Sequence, residues 1–157
     1  MNRILKRTLL VVGAALVVAQ FVGPKRTNPP TDPARTLHRK TPIPGNVDAI
    51  LTRSCGNCHS NETRWPWYAY VAPMSWSVIS HVNEGRAHMN LSDWTHTAEE
   101  GADLLDSACR EVRRGKMPMA SYTWIHRSAA LSDADKKTLC RWTADAADAL
   151  MAAAEGQ

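Results

Sequence analysis

The sequence predicts a small all-α domain. Its 157 residues include one Phe, three Tyr and six Trp, and no long Val/Ile-rich run that would read as a strand. Helical spacing recurs instead: Trp76, Ile79 and Val82 within 75–88, Leu105, Ala108 and Val112 within 98–114, and Leu139, Trp142, Ala146 and Leu150 near the end. An apolar N-terminal segment takes part of the length, so the globular part is small. Domains of that size commonly add a disulfide, a metal or a large cofactor to their core. The expected division is a signal anchor or signal peptide at 1–24, a Pro-rich linker at 25–45 and a domain at 46–154.

In chain order, Arg3, Lys6 and Arg7 precede an uncharged, mostly aliphatic stretch from Thr8 to Pro24, closed by Lys25 and Arg26. Its length of about 17 residues suits a short spanning helix or a long signal core. Val17-Val18-Ala19 is an imperfect cleavage site, so a retained anchor is favoured. The basic flank would stay in the cytoplasm, placing the rest outside a bacterial inner membrane, single-pass, in the periplasm, or secreted there after cleavage.

Six of the nine prolines fall between Pro24 and Pro44. Such a stretch favours extended, polyproline-like conformations and reads as a semi-rigid spacer or a disordered tail. Residues 1–40 carry eight Lys/Arg against Asp32 alone, which leaves eleven of the 19 bases against fourteen of the 15 acids in the remainder. The basic excess belongs to the N-terminus, which argues against nucleic acid as a partner.

Cys55-Gly56-Asn57-Cys58-His59 is the attachment pattern of c-type haem. Two cysteines three apart reach two vinyl groups of one haem, and the adjoining His lies beneath the iron. A thiol redox pair would follow a strand in a βαβ unit, and none is visible. A zinc site would need a second, closer Cys/His pair than Cys109 and Cys140 provide. A structural disulfide would leave His59 unexplained. Attachment on the far side of a membrane agrees with the N-terminal segment.

Haem iron in an electron carrier takes a second axial ligand, commonly Met. The candidate is Met117, in Gly115-Lys116-Met117-Pro118, where Gly115 stops the helix at 98–114. Core packing is the other use of such a Met. Met119, Met74, Met89, His81, His88 and His126 are further alternatives. Trp65-Pro66-Trp67-Tyr68 follows the motif and suits one wall of a porphyrin, as does Trp76.

From about residue 26 to Trp142 the chain resembles the bacterial haem-binding domain family of small, membrane-anchored mono-haem proteins. The resemblance lies in Cys-x-x-Cys-His-Ser-Asn-Glu-Thr-x-Trp-Pro-Trp-Tyr at 55–68, Val71-Ala72-Pro73 with Ser75-Trp76, His81-Val82 with Glu84-Gly85-Arg86, and Asn90 to Trp94. Gly115-x-Met117-Pro118, Tyr122, His126 and Trp142 complete it. It implies one covalent haem, axial ligands His59 and Met117, and a cytochrome c-like fold.

Cys109 and Cys140 fall on two predicted helices, the second opening at the cap-like Ser132-Asp133-Ala134-Asp135. They are either a disulfide or two small buried thiols. Arg110, Arg113, Arg114 and Lys116 are either a solvated helix face or a docking patch for an acidic redox partner. The combined expectation is a single-electron carrier at the outer face of a bacterial cytoplasmic membrane, with redox proteins as partners and no catalytic acid or base. The alternative is a haem peroxidase or small-ligand sensor with a labile Met117.

Overall fold

The computed structural model describes residues 2–156. Among them lie eight α-helices, three short 3-10 turns and no strand, so the all-α expectation holds.

Helix α1 (Arg3–Ala19) starts at Asn2, whose side chain accepts from the Ile4 N–H, and none of its residues is buried. The expected membrane helix is not found: no described helix is long and apolar enough to cross a bilayer. The 17 residues of α1 reach about 25 Å against a hydrocarbon core of about 30 Å. Arg3, Lys6 and Arg7 also occupy its first turns, which shortens the apolar part further. The assignment to a bacterial inner membrane, with the domain in the periplasm, rested on that span and falls with it.

The apolar stretch does not remain helical to Pro24. At Gln20 the side chain takes over the work of the backbone, accepting from the Ala72 N–H at 3.0 Å and donating to the Leu16 carbonyl at 2.8 Å. Trp76 then donates its indole N–H to the Val22 carbonyl at 2.7 Å. The proline-rich segment is mostly exposed and makes hydrogen bonds to the domain. Arg26 donates to the Ala69 carbonyl and Asn28 to that of Thr63. Past the turn at Pro33–Arg35, the short α2 (Leu37–Lys40) buries Leu37 in the core, and the Pro42 carbonyl accepts from the Trp142 indole. Burying one Leu is worth roughly 2 kcal/mol, which adds to the hydrogen bonds that hold the segment against the domain. Part of the segment read as a linker thus packs on the domain.

Helix α3 (Gly45–Ser54) presents Val47, Ile50, Leu51 and Ser54 to the interior at helical spacing. It runs almost directly into α4 (Gly56–His59), with Cys55 between them donating its N–H to the Leu51 carbonyl. After a turn at Trp67–Tyr70 comes α5 (Met74–His88), one residue longer at its start than its periodicity suggested. Helix α6 (Ala98–Arg113) opens on a capping box in which Thr97 and Glu100 satisfy each other's backbone N–H. It closes as expected at Gly115, whose φ of +69° allows the N–H of Lys116 to reach the Glu111 carbonyl and its own to reach Val112.

Helix α7 (Ala120–Ile125) is short, and α8 (Asp133–Glu155) has a second capping box, Ser132 with Asp135. The α6 and α8 helices lie against each other and are joined by a Cys109–Cys140 disulfide. Of the two uses open to those cysteines, the structure has the bridge. The core is built from Leu37, Val47, Ile50, Leu51, Trp94, Leu105, Val112, Leu139, Trp142 and Ala146.

Candidate functional site

A cavity of about 490 Å³ lies between α4, α5, α6, α8 and the 117–119 segment, a size ordinary for a small-molecule or cofactor site. Cys55, Cys58, His59 and Met117 all line it. Residues distant in sequence are thus brought to one enclosure whose walls are largely apolar, with Leu104, Leu105, Ala108, Val112 and Leu139 among them.

The turn from α3 to α4 places both cysteines on the cavity side. Asn57 at the turn holds the chain that follows, accepting from the Thr63 hydroxyl through its carbonyl and from the Arg64 N–H through its side chain. Arg86 of α5 secures the end of α4, donating to the Ser60 carbonyl at 2.7 Å, the Thr63 hydroxyl at 2.8 Å, and Thr27 and Asn28 of the N-terminal segment. The approach of α5 to α4 is close at Gly85, where a Cβ would stand 2.7 Å from the Cys58 carbonyl oxygen. Only glycine lets the two backbones meet there.

His59 Nδ1 lies 3.0 Å from the Met89 carbonyl oxygen. A carbonyl only accepts, so Nδ1 carries the proton and the Nε2 lone pair is left to bind a metal. Burial pushes the imidazole below its usual range, opposed by hydrogen bonding to the Met89 and Gly85 backbone. The neutral ring is the ligating form. Burial also raises both thiols, Cys55 to about 12 with Cys58 adding to the rise, and Cys58 against the pull of Arg86. Ser54 belongs to the same lining, and its buried hydroxyl has no hydrogen-bond partner among the described residues. A ligand carrying a polar group would satisfy it.

The three expected wall residues Trp65, Trp67 and Trp76 do not line the cavity. Trp65 donates to Asn28, Trp76 donates to the Val22 carbonyl and Trp67 is 78% exposed. The cavity's aromatic residues are Tyr122 and Trp142. Of the alternative ligands, Met119, Met89, His81 and His88 line the cavity with Met117, whereas Met74 and His126 do not.

Periodicity in one sequence offered no signal for Gly85, Arg86 or the Met89 carbonyl, since each acts through contacts across the fold. The basic run on α6 is largely engaged within its own surface: Arg110 pairs with Asp106, and Arg114 and Lys116 approach Glu111 at 3.4 and 4.0 Å.

The arrangement suits a flat, apolar cofactor with a metal at its centre: one neutral imidazole nitrogen, two thiols beside it and thioether sulfurs in the same wall. A family model described as a haem-binding domain matches residues 14–145. No curated protein and no solved structure matches the chain.

Proposed function

The chain belongs to this haem-binding domain family, and from that premise we propose that it holds one haem covalently and carries single electrons. The observation that carries the reading is the shared cavity in which His59, fixed through Nδ1 by the Met89 carbonyl, stands with Cys55, Cys58 and Met117. Cys55 and Cys58 would hold the haem by thioether bonds, and His59 and Met117 would serve as axial ligands in a cytochrome c-like domain. Bound haem supplies a one-electron couple at iron.

The chain's own residues do the rest. Arg86 and Asn57 fix the attachment turn, the Met89 carbonyl orients the imidazole, and the apolar walls of α6 and α8 exclude water, which bears on the potential. Redox proteins would be its partners.

The second reading, a peroxidase or small-ligand sensor, draws support from the 39% exposure of Met117, since an accessible ligand is more readily displaced. The test is expression of the full chain with a haem-attachment system, followed by denaturing electrophoresis and spectra with and without carbon monoxide. Haem that stays with the denatured chain, and a near-infrared Met-to-iron band lost in Met117→Ala, are expected. Haem that washes away overturns covalent attachment, and ready carbon monoxide binding by the ferrous parent favours the sensor or peroxidase.

A further inference from the structure

Four rings stand in line between the haem cavity and the surface. Tyr122 lines the cavity, and its ring is stacked on His126 with centroids 4.5 Å apart and planes at 26°. His126 Nε2 and the Tyr68 hydroxyl are hydrogen-bonded at 2.6 Å, with ring centroids 6.1 Å apart. Tyr68 meets Trp67 edge to face at 5.8 Å, and Trp67 is 78% exposed. The Tyr122 hydroxyl is anchored in turn by Asn57, between the two motif cysteines, at 2.7 Å.

We infer that Tyr122, His126, Tyr68 and Trp67 form the path by which one electron passes between the haem cavity and the surface, and that an acidic one-electron carrier protein docks over Trp67. This rests on the electron-transfer reading above. Electron tunnelling weakens steeply across gaps and saturated groups and less steeply across conjugated rings in contact, so a run of touching rings is a favourable route. Exposed Trp and Arg are the residue types enriched in interface hot spots.

The charge beside it selects the partner. Arg64 is exposed three residues before Trp67, and the Arg26 guanidinium lies 4.1 Å over the Tyr70 ring. Neither is ion-paired among the described residues, so an acidic surface would complement them. In the transfer, the reduced carrier gives up one electron and ferric haem iron becomes ferrous. The rings bridge the two without being oxidised, and no bond to hydrogen breaks.

The test is stopped-flow reduction of the haem-loaded full chain by the hydroquinone of an acidic flavodoxin, over a range of flavodoxin concentrations. Trp67→Leu is expected to slow reduction at sub-saturating flavodoxin about thirtyfold, the scale on which hot-spot residues act. Tyr68→Leu should lower the limiting rate and leave the half-saturation concentration unchanged. Arg64→Glu should raise half-saturation and flatten the dependence on salt. Trp124→Leu is the control, being 77% exposed and outside the line of rings, and should change neither. In nuclear magnetic resonance spectra the Trp67 indole N–H should shift on addition of oxidised flavodoxin while that of Trp124 stays.

Parental rates in both Trp67→Leu and Tyr68→Leu would overturn the path, as would equal slowing by Trp124→Leu. A parent reduced by dithionite but not by flavodoxin would overturn the acidic carrier. In each of these results the haem still cycles, so the electron-transfer reading stands. A chain that binds no haem, or does not cycle between dithionite and ferricyanide, overturns both.

Discussion

Replacing Gly85 by Ala tests the close approach on which the attachment turn depends. On an exposed helix this change would stabilise by about 1 kcal/mol, because Ala is the better helix former. Here the added Cβ would lie 2.7 Å from the Cys58 carbonyl oxygen, 3.1 Å from its carbon and 3.2 Å from its Cβ. Ordinary contact begins at 3.4 Å, so the backbones of α4 and α5 must part by about 0.7 Å. The obstacle is backbone rather than a side-chain tip, and Arg86 ties Ser60 and Thr63 to α5 one residue further on. Overpacking of this kind costs about 1–3 kcal/mol, which exceeds the propensity gain and leaves a net loss of about 1 kcal/mol.

For a chain of this length such a loss lowers the melting temperature by about 4 °C. It should also disturb His59, since the displaced turn carries the imidazole away from the Met89 carbonyl. The assay is thermal unfolding of parent and Gly85→Ala by circular dichroism, with the yield of covalent haem from parallel cultures. A variant as stable as the parent, with equal haem yield, would refute the reasoning: helix propensity alone would then describe the site.

Two further outcomes follow from the ends and joints of α8. The Ser132 hydroxyl and backbone N–H, with Arg53 as a lesser cause, hold the Asp135 carboxyl at about 2 against an ordinary 3.8. A lowered folded-state pKa contributes stability that is complete above the ordinary value and lost as pH falls through the lowered one. Unfolding temperatures should therefore drop between pH 4 and pH 2 more steeply in the parent than in Asp135→Asn, and parallel curves would count against this role. The Cys109–Cys140 bridge closes a separation of 31 residues, for which chain entropy gives roughly 3–4 kcal/mol. Cys109→Ser/Cys140→Ser should unfold at correspondingly lower urea, and an unchanged midpoint would show that the packing of α6 on α8 already supplies the restraint.

The α-helical class, the last three long or amphipathic segments and their ends were legible because they are local properties. Period, capping boxes and a left-handed Gly115 are all written within a few residues of where they act. The Cys-x-x-Cys-His spacing was equally local. Trp65, Trp67 and Trp76 do not line the cavity, since a ring next to the motif in sequence need not be next to it in space. Thr63 and Arg64 donate back to Asn57, and the cavity's aromatic walls come instead from Tyr122 and Trp142, far along the sequence.

Composition also misled at the N-terminus. Prolines announce an extended backbone but not what it touches: most of the segment is exposed, while Leu37 within it is buried in the core. An uncharged run announces apolarity but not helix length, and α1 stops at Ala19 where Gln20 finds the Ala72 backbone.

By itself the sequence determined the helical class, the haem-attachment pattern and its candidate ligands, because each is carried by spacing along one stretch of chain. The tertiary structure alone decided what closes around that pattern. The Gly85 approach, the Arg86 tie, the Met89 carbonyl behind His59 and the line of rings to Trp67 are contacts between distant segments, set by how the helices pack and invisible to any local spacing.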